Sequence, residues 1–164
     1  MSLSLPPRLR LAHLPTPLVR YDALDALVGT QVWVKRDDCT AGPEAGNKIR
    51  KLEYLLAAAQ AERASVVITC GGEQSNHARA TALLARSLGM RSLLFLRTQD
   101  GAAPARPWPG NLLLDALAGA ELRFITPAQY RERDTLLLDA KRELERAGEH
   151  VYVIPEGGSN GLGA

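Results

Sequence analysis

The sequence predicts an α/β fold with a parallel sheet between two layers of helices. Apolar, β-branched runs begin near residues 66, 91, 121 and 151, and they alternate with segments whose apolar residues recur every three or four positions. Strands separated by helices form βαβ units, in which the strands are parallel and the helices cover the sheet. A further strand near residues 32–34 lies outside this series, and we expect it to belong to another sheet.

Each element has its own local signal, such as alternating apolar residues, a glycine stop or a cluster of prolines. In chain order we predict a strand over 31–35, a helix with Leu52, Leu55, Leu56 and Ala59 on its apolar stripe, a buried strand over 65–70, a helix with Ala80, Leu83, Leu84 and Ser87 that Gly89 closes, a strand over 91–97, a loop over 98–109, a short helix over 111–118, a strand over 121–125, one long helix from Thr126 to Gly148, and a strand over 151–154.

Composition excludes several classes of protein. The 164 residues carry 20 Lys and Arg against 18 Asp and Glu, and this balance argues against a nucleic-acid-binding surface. No stretch approaches the roughly 20 apolar residues that span a bilayer, and the N-terminus lacks a signal-peptide pattern, so we expect a cytoplasmic protein. Cys39 and Cys70 match no zinc-ligand spacing. We therefore expect no metal. Without an export signal, we expect two reduced, mostly buried thiols, and the alternative is a disulfide between them.

Ligands of parallel α/β sheets lie beyond the carboxyl ends of the strands, and the loops over 45–51, 69–77 and 156–160 fall there. In the second loop, Ser75 or Asn76 can cap the following helix, whose free N–H groups attract an anion. The alternative is a plain strand–turn–helix joint.

In the first loop, Lys48 and Lys51 place two cations at a helix start, against its dipole. That placement suits a bound anion or a covalently neutralised lysine, and the alternative is two solvated side chains.

Six motifs in order resemble one enzyme family. They are residues 13–18 (HLPTPL), 33–38 (WVKRDD), 46–53 (GNKIRKLE), 74–79 (QSNHAR), 110–115 (GNLLLD) and 154–160 (IPEGGSN). Together they are similar to the D-cysteine desulfhydrase and 1-aminocyclopropane-1-carboxylate deaminase family, whose members are pyridoxal 5′-phosphate enzymes of fold type II, the tryptophan-synthase-β fold. The resemblance runs from about residue 8 to the last residue.

The resemblance implies a role for each matched site residue. Lys48 would be the Schiff-base lysine, and Lys51 would approach the cofactor phosphate. Asn76 would bind the cofactor's 3′-oxygen, while the N–H groups of Asn76 and His77 would bind the substrate carboxylate. Ser75 would be a nucleophile in the deaminase or a carboxylate contact in the desulfhydrase. The His77 side chain could equally be that of an ordinary core or surface histidine, because it need not act for its backbone N–H to do so.

Two positions depart from the family's pattern. Ala45 stands where a further glycine is usual, and Glu73 stands where an apolar residue is common. Glu73 puts a charge near the expected carboxylate site, which bears on the choice of substrate. The resemblance also implies that the family's glycine-rich phosphate cup follows the final motif. We therefore expect this chain to be the N-terminal portion of a two-domain enzyme.

These implications define the expected organisation and function. Residues 1–49 would start the large cofactor domain, residues 50–155 would form the small α/β domain, and residues 156–164 would return to the large one. The preferred function is D-cysteine desulfhydrase, acting on a small amino acid as a homodimer in the full-length form, without nucleic-acid or membrane partners. Alternatives are 1-aminocyclopropane-1-carboxylate deaminase, cysteate sulfo-lyase, and a non-catalytic α/β module.

Overall fold

The computed structural model describes residues 5–163; residues 1–4 and Ala164, at the outer ends of the predicted segments 1–49 and 156–164, lie outside the described residues. The strands are β1 (Leu18–Arg20), β2 (Trp33–Lys35), β3 (Val66–Gly72), β4 (Arg91–Arg97), β5 (Glu121–Ile125) and β6 (Val151–Val153). The helices are α1 (Asp22–Val28), α2 (Lys48–Ala61), α3 (Asn76–Ser87), α4 (Gly110–Leu117), α5 (Pro127–Arg131) and α6 (Arg133–Arg146), with 3-10 turns over Asp37–Cys39 and Glu156–Gly158. Within this range, no helix is long and apolar enough to cross a membrane.

The main sheet has the strand order β5-β4-β3-β6, and every neighbouring pair is parallel. Strands β1 and β2 form a separate antiparallel pair in which Val19 lies opposite Val34. The predicted parallel sheet and the placement of the early strand in another sheet are both confirmed.

Alternation along β3 divides the core between two helix layers. Val67 faces one side and packs with α2 and the middle of α3. Val66, Ile68 and Cys70 face the other side, where they pack with α5 and α6. Helix α4 joins the first layer through Leu112. The three-layer α/β fold is therefore confirmed, and its burial follows from the two-residue repeat of a strand that is covered on both faces.

Two expectations need correction, and two short elements were missed. The single helix over 126–148 is wrong, because the chain breaks at Glu132 into α5 and α6. No glycine or proline marks this break, and Tyr130, just before it, is held by burial in the core. The buried thiols are half right: both cysteines are unpaired, but only Cys70 is buried and Cys39 is exposed. Short elements β1 and α1 were not predicted.

The carboxyl edge of the sheet brings distant segments together. The turn over Glu156–Gly158 packs against α2, α3 and β3. Gly158 makes this approach possible, because a Cβ there would lie 2.9 Å from Leu55 Cδ1, and its φ of +62° suits glycine. The starts of α2 and α3 are thereby held beside the turn that follows β6.

Candidate active site

An open cleft of about 490 Å³ lies between the loop that leads into α2 and the first turn of α3. Its lining includes Lys48 and Asn76, two of the residues predicted for the site, together with Ala45 and Arg79. Residues far apart in the sequence share one surface because α3, which follows β3, packs against α2. Ser75, His77 and Lys51 do not line this cleft.

Lys48 is the first residue of α2, and the helix start is electrostatically open. The side chain of Asn47 at the cap position makes no capping hydrogen bond, and no acidic residue lies in the first turn. A Cβ on Gly157 would lie 3.8 Å from Lys48 Nζ, so this ammonium group lies close to the turn after β6. One turn further on, Lys51 Nζ donates to Ser159 Oγ at 3.1 Å. Two cations thus lie where the helix dipole is also positive, an arrangement that an anion would stabilise.

Ser75 caps α3, as one of the two sequence-based alternatives predicted. Its Oγ accepts a hydrogen bond from Ala78 N at 3.2 Å. Gly71 is required beside it, since a Cβ on Gly71 would lie 2.5 Å from both Ser75 Cβ and Oγ. The N–H groups of Asn76 and His77 precede the capped position and have no acceptor within the helix. They therefore remain as donors for an anion.

The side chain of His77 belongs to the core. It is 3% exposed, and its Nε2 lies 3.0 Å from Thr69 Oγ1. Burial, reinforced by the nearby charges of Lys48 and Lys51, lowers the pKa of His77 to about 4. The imidazole is therefore neutral near pH 7, which fits a packed histidine and leaves its backbone N–H as the group available to a ligand.

The two departures from the family's pattern have defined surroundings. Ala45 contributes its carbonyl oxygen, which accepts a hydrogen bond from Arg79 Nη2 at 2.7 Å. Glu73 is exposed in the turn between β3 and α3, and it lines a separate open pocket with Arg97. Its carboxylate therefore does not enter the cleft that holds Lys48.

A polar network missed by sequence reasoning supports Asn76. Asn76 Oδ1 accepts hydrogen bonds from Arg79 Nη1 at 3.1 Å and from Asn111 Nδ2 at 3.0 Å. Behind them lies Asp115, which is fully buried with both carboxylate oxygens unpartnered. Burial raises the pKa of Asp115 to about 7, and the charge of Arg79 partly opposes that rise. These residues received no role from the sequence, although Arg79 ends the motif over 74–79 and Asn111 and Asp115 lie in the motif over 110–115. The spacing of Arg79, three residues after Asn76 on a helix, was a further signal.

The chemistry of this donor set points to a particular kind of ligand. The polar and charged groups that line the cleft are the ammonium groups of Lys35 and Lys48, the carboxamides of Asn47 and Asn76, the guanidinium of Arg79 and the carboxylates of Asp37 and Asp38. Lys51 and the free N–H groups at the start of α3 lie beside it. A primary amine suits a carbonyl carbon, and the remaining donors suit anionic oxygens such as those of phosphate, phenolate and carboxylate. Among residues 5–163, no group of three or more His, Cys, Asp or Glu side chains is placed to hold a metal ion.

Comparisons with known proteins agree with this chemistry. Residues 9–163 match the model of a family described as pyridoxal-phosphate dependent enzyme. A putative 1-aminocyclopropane-1-carboxylate deaminase of Thermotoga maritima is 48% identical over 96% of this chain and 49% of its own length. A bifunctional mitochondrial D-cysteine desulfhydrase/1-aminocyclopropane-1-carboxylate deaminase of Arabidopsis thaliana is 46% identical over 93% of this chain and 39% of its own length.

A solved structure of a related protein also matches the fold of this chain. The crystal structure of an ACC deaminase homologue superposes with a TM-score of 0.86 at 39% identity, covering 96% of this chain and 47% of the other. The chain thus spans about half the length, or less, of the curated relatives that it matches.

Proposed function

The chain belongs to the pyridoxal-phosphate-dependent enzyme family, and from this membership we propose that it carries the lysine and substrate-carboxylate side of an active site for a small amino acid. The observation that carries the proposal is the placement of Lys48 and Asn76 in one cleft, beside the open N-terminus of α3. The donor set fits pyridoxal 5′-phosphate, which has an aldehyde, a ring hydroxyl and a phosphate.

Three side chains would hold the cofactor. Lys48 Nζ is the amine for the aldehyde carbon, Asn76 Nδ2 is a donor for the ring oxygen, and Lys51 adds positive charge for the phosphate. When bound, the cofactor withdraws electrons from the substrate's α-carbon and so makes its proton removable. Lys51 already reaches across to Ser159, which places its charge between α2 and the turn after β6.

The residues of this chain then divide the remaining tasks. The N–H groups of Asn76 and His77 bind the substrate carboxylate, helped by the dipole of α3. Lys48 Nζ would also be the base that takes the proton from the α-carbon of the substrate. Ser75 Oγ accepts from Ala78 N, so its O–H proton is left to donate to the carboxylate. The neutral imidazole of His77 takes no part in these transfers.

We propose D-cysteine as the preferred substrate, with water converting it to pyruvate, hydrogen sulfide and ammonia. The second candidate is 1-aminocyclopropane-1-carboxylate, which with water gives 2-oxobutanoate and ammonia. It is supported by the name of the Thermotoga maritima relative, and Ser75 would then act as a nucleophile. L-Cysteate is a third candidate. We also propose a cytoplasmic location and, for the whole enzyme, a homodimer.

Keto-acid formation tests this proposal. The whole enzyme, which includes the residues of this chain, is mixed with pyridoxal phosphate and incubated separately with D-cysteine, L-cysteine, 1-aminocyclopropane-1-carboxylate and L-cysteate. We expect pyruvate and sulfide from D-cysteine, in excess over L-cysteine, and no excess with the Lys48→Ala variant. The L-enantiomer controls for the reaction of free cofactor with cysteine. Keto acid from no substrate above the Lys48→Ala background would contradict the enzymatic proposal and favour a non-catalytic module.

A further inference from the structure

Asn76 is an exposed residue whose carboxamide would turn freely if nothing held it. It is the first residue of α3 and lies on the wall of the cleft that contains Lys48. A carboxamide can present either an oxygen acceptor or an NH₂ donor to a ligand, and the two orientations differ only by a rotation of 180°. Which of the two groups faces the cleft therefore depends on the neighbours of Asn76.

Two neighbours select the orientation. Arg79 Nη1 and Asn111 Nδ2 both direct N–H groups at the same atom of Asn76, at 3.1 and 3.0 Å. A guanidinium group carries only donors, so the atom that it contacts must be the carboxamide oxygen. Because Oδ1 is occupied by two donors, Nδ2 is the group left for a ligand in the cleft.

The guanidinium of Arg79 is itself fixed at several points. Its Nη2 donates to the carbonyl oxygen of Ala45 at 2.7 Å, and its Nη1 also donates to Asn111 Oδ1 at 3.2 Å. Ala45 lies in the loop that leads directly into Lys48, so one side chain ties the lysine's loop to the amide of Asn76. The buried carboxyl of Asp115 lies near this guanidinium but makes no hydrogen bond to it, and burial raises its pKa to about 7.

Asn111 is anchored as firmly, at the start of α4. Its backbone N donates to Gln74 Oε1 at 2.9 Å, and its Nδ2 donates to Gln74 O at 2.7 Å. Gly110, with φ of +60°, permits this contact, since a Cβ there would lie 2.5 Å from Gln74 Oε1. The amide of Asn111 therefore cannot turn without breaking bonds to the loop before α3.

We propose that Arg79 and Asn111 are positioning residues, which hold Asn76 with Nδ2 facing the cleft as an obligatory hydrogen-bond donor to an anionic ring oxygen of the cofactor. The proposal rests on the proposed function for the identity of that oxygen. The guanidinium of Arg79 contacts both Asn76 and the carbonyl oxygen of Ala45, in the loop before Lys48. It therefore fixes the position of the Asn76 donor relative to the Lys48 amine. The competing interpretation is that the network only ties α3 to α4.

A double-mutant cycle separates the two interpretations. The dissociation constant of pyridoxal phosphate is measured for the intact chain, for Arg79→Met, for Asn76→Ala and for the double variant, with Arg86→Met, an exposed arginine on the same helix, as control. We expect each of the first two changes to weaken binding about tenfold, the loss of one charge-assisted hydrogen bond. If Arg79 acts through Asn76, the double variant is no weaker than Asn76→Ala alone. Effects that multiply would overturn the proposal.

A second variant and a second measurement remain informative if Arg79→Met does not fold. Asn111→Ala removes one donor and leaves no buried charge, and it should weaken binding by several-fold. In the cofactor-free chain, nitrogen-15 relaxation should show Asn76 Nδ2 to be rigid, and markedly more mobile in Asn111→Ala. Equal mobility in both proteins would overturn the positioning role. An intact chain that takes up no cofactor would instead contradict the proposed function, while the relaxation result still tests the network.

Discussion

The buried carboxyl of Asp115 should give the chain an unusual dependence of stability on pH. Its pKa is raised from 3.8 to about 7 by burial, so the folded protein holds a proton that the unfolded chain has released. Stability from this group is present at low pH and is lost as the pH rises towards 7. Between pH 5 and 8, Asp115 alone lowers the free energy of unfolding by about 3 kcal/mol.

The titration of His77 changes the free energy of unfolding in the opposite direction. Its pKa is lowered from 6.5 to about 4 by burial and by Lys48 and Lys51, so the unfolded chain binds the extra proton. Stability from the neutral imidazole is present above pH 6.5 and is lost as the pH falls towards 4. Between pH 5 and 8, His77 alone raises the free energy of unfolding by about 2 kcal/mol. The two groups therefore nearly cancel in the intact chain, where we expect a shallow profile.

Asp115→Asn removes the pH-dependent contribution of Asp115 to the free energy of unfolding while keeping the size of the side chain. Unfolding by urea, followed by circular dichroism at several pH values, gives the free energy at each. We expect the variant to gain about 2 kcal/mol from pH 5 to 8, about 3 kcal/mol more than the intact chain gains. Asp139→Asn, on the exposed face of α6, is the control and should run parallel to the intact chain. An Asp115→Asn profile parallel to that of the intact chain would refute the reasoning.

Three further variants test the packing around the site by urea unfolding. Gly71→Ala should destabilise the fold by about 1–3 kcal/mol, because the new Cβ would lie 2.5 Å from Ser75. The control Gly161→Ala has open space around the new Cβ and should not destabilise the fold. Equal losses of stability in the two variants would contradict the clash. Ser75→Ala should cost about 1 kcal/mol by removing the cap of α3, and Ser75→Thr should retain most of that stability; a loss as large with Thr would argue against the cap. Tyr130→Phe removes the hydrogen bond to Glu156 and should cost about 1 kcal/mol, and an unchanged free energy would show that this bond contributes nothing.

Much of the fold could be predicted from local patterns. The run that became β3 is buried from Val66 to Gly71 because both faces of the strand are covered, and the bounds of β4 and β5 coincide with the predicted ones. The break at Glu132 could not be predicted, since no helix breaker stands there. The exposure of Cys39 could not be predicted either, because the burial of a short turn depends on what packs over it.

Only part of the candidate site could likewise be predicted from the sequence. Lys48 and Asn76 lie in motifs with local character, a cationic helix start and a helix cap, and the structure places them in one cleft. Asn111 contributes to the same site from 35 residues further along the chain, through contacts between α3 and α4. The burial of Asp115 follows from that same packing. No periodicity distinguishes such a residue from an exposed aspartate on a helix.

The central claim is that Lys48 is the amine that bonds to the cofactor. The chain has only four lysines, Lys35, Lys48, Lys51 and Lys141, so the claim can be tested residue by residue. The chain is mixed with pyridoxal phosphate, reduced with borohydride and digested, and the modified lysine is located by mass spectrometry. We expect the label at Lys48, with Lys51 and the other two close to background. Label concentrated at Lys51, or spread evenly over the four lysines, would contradict the account.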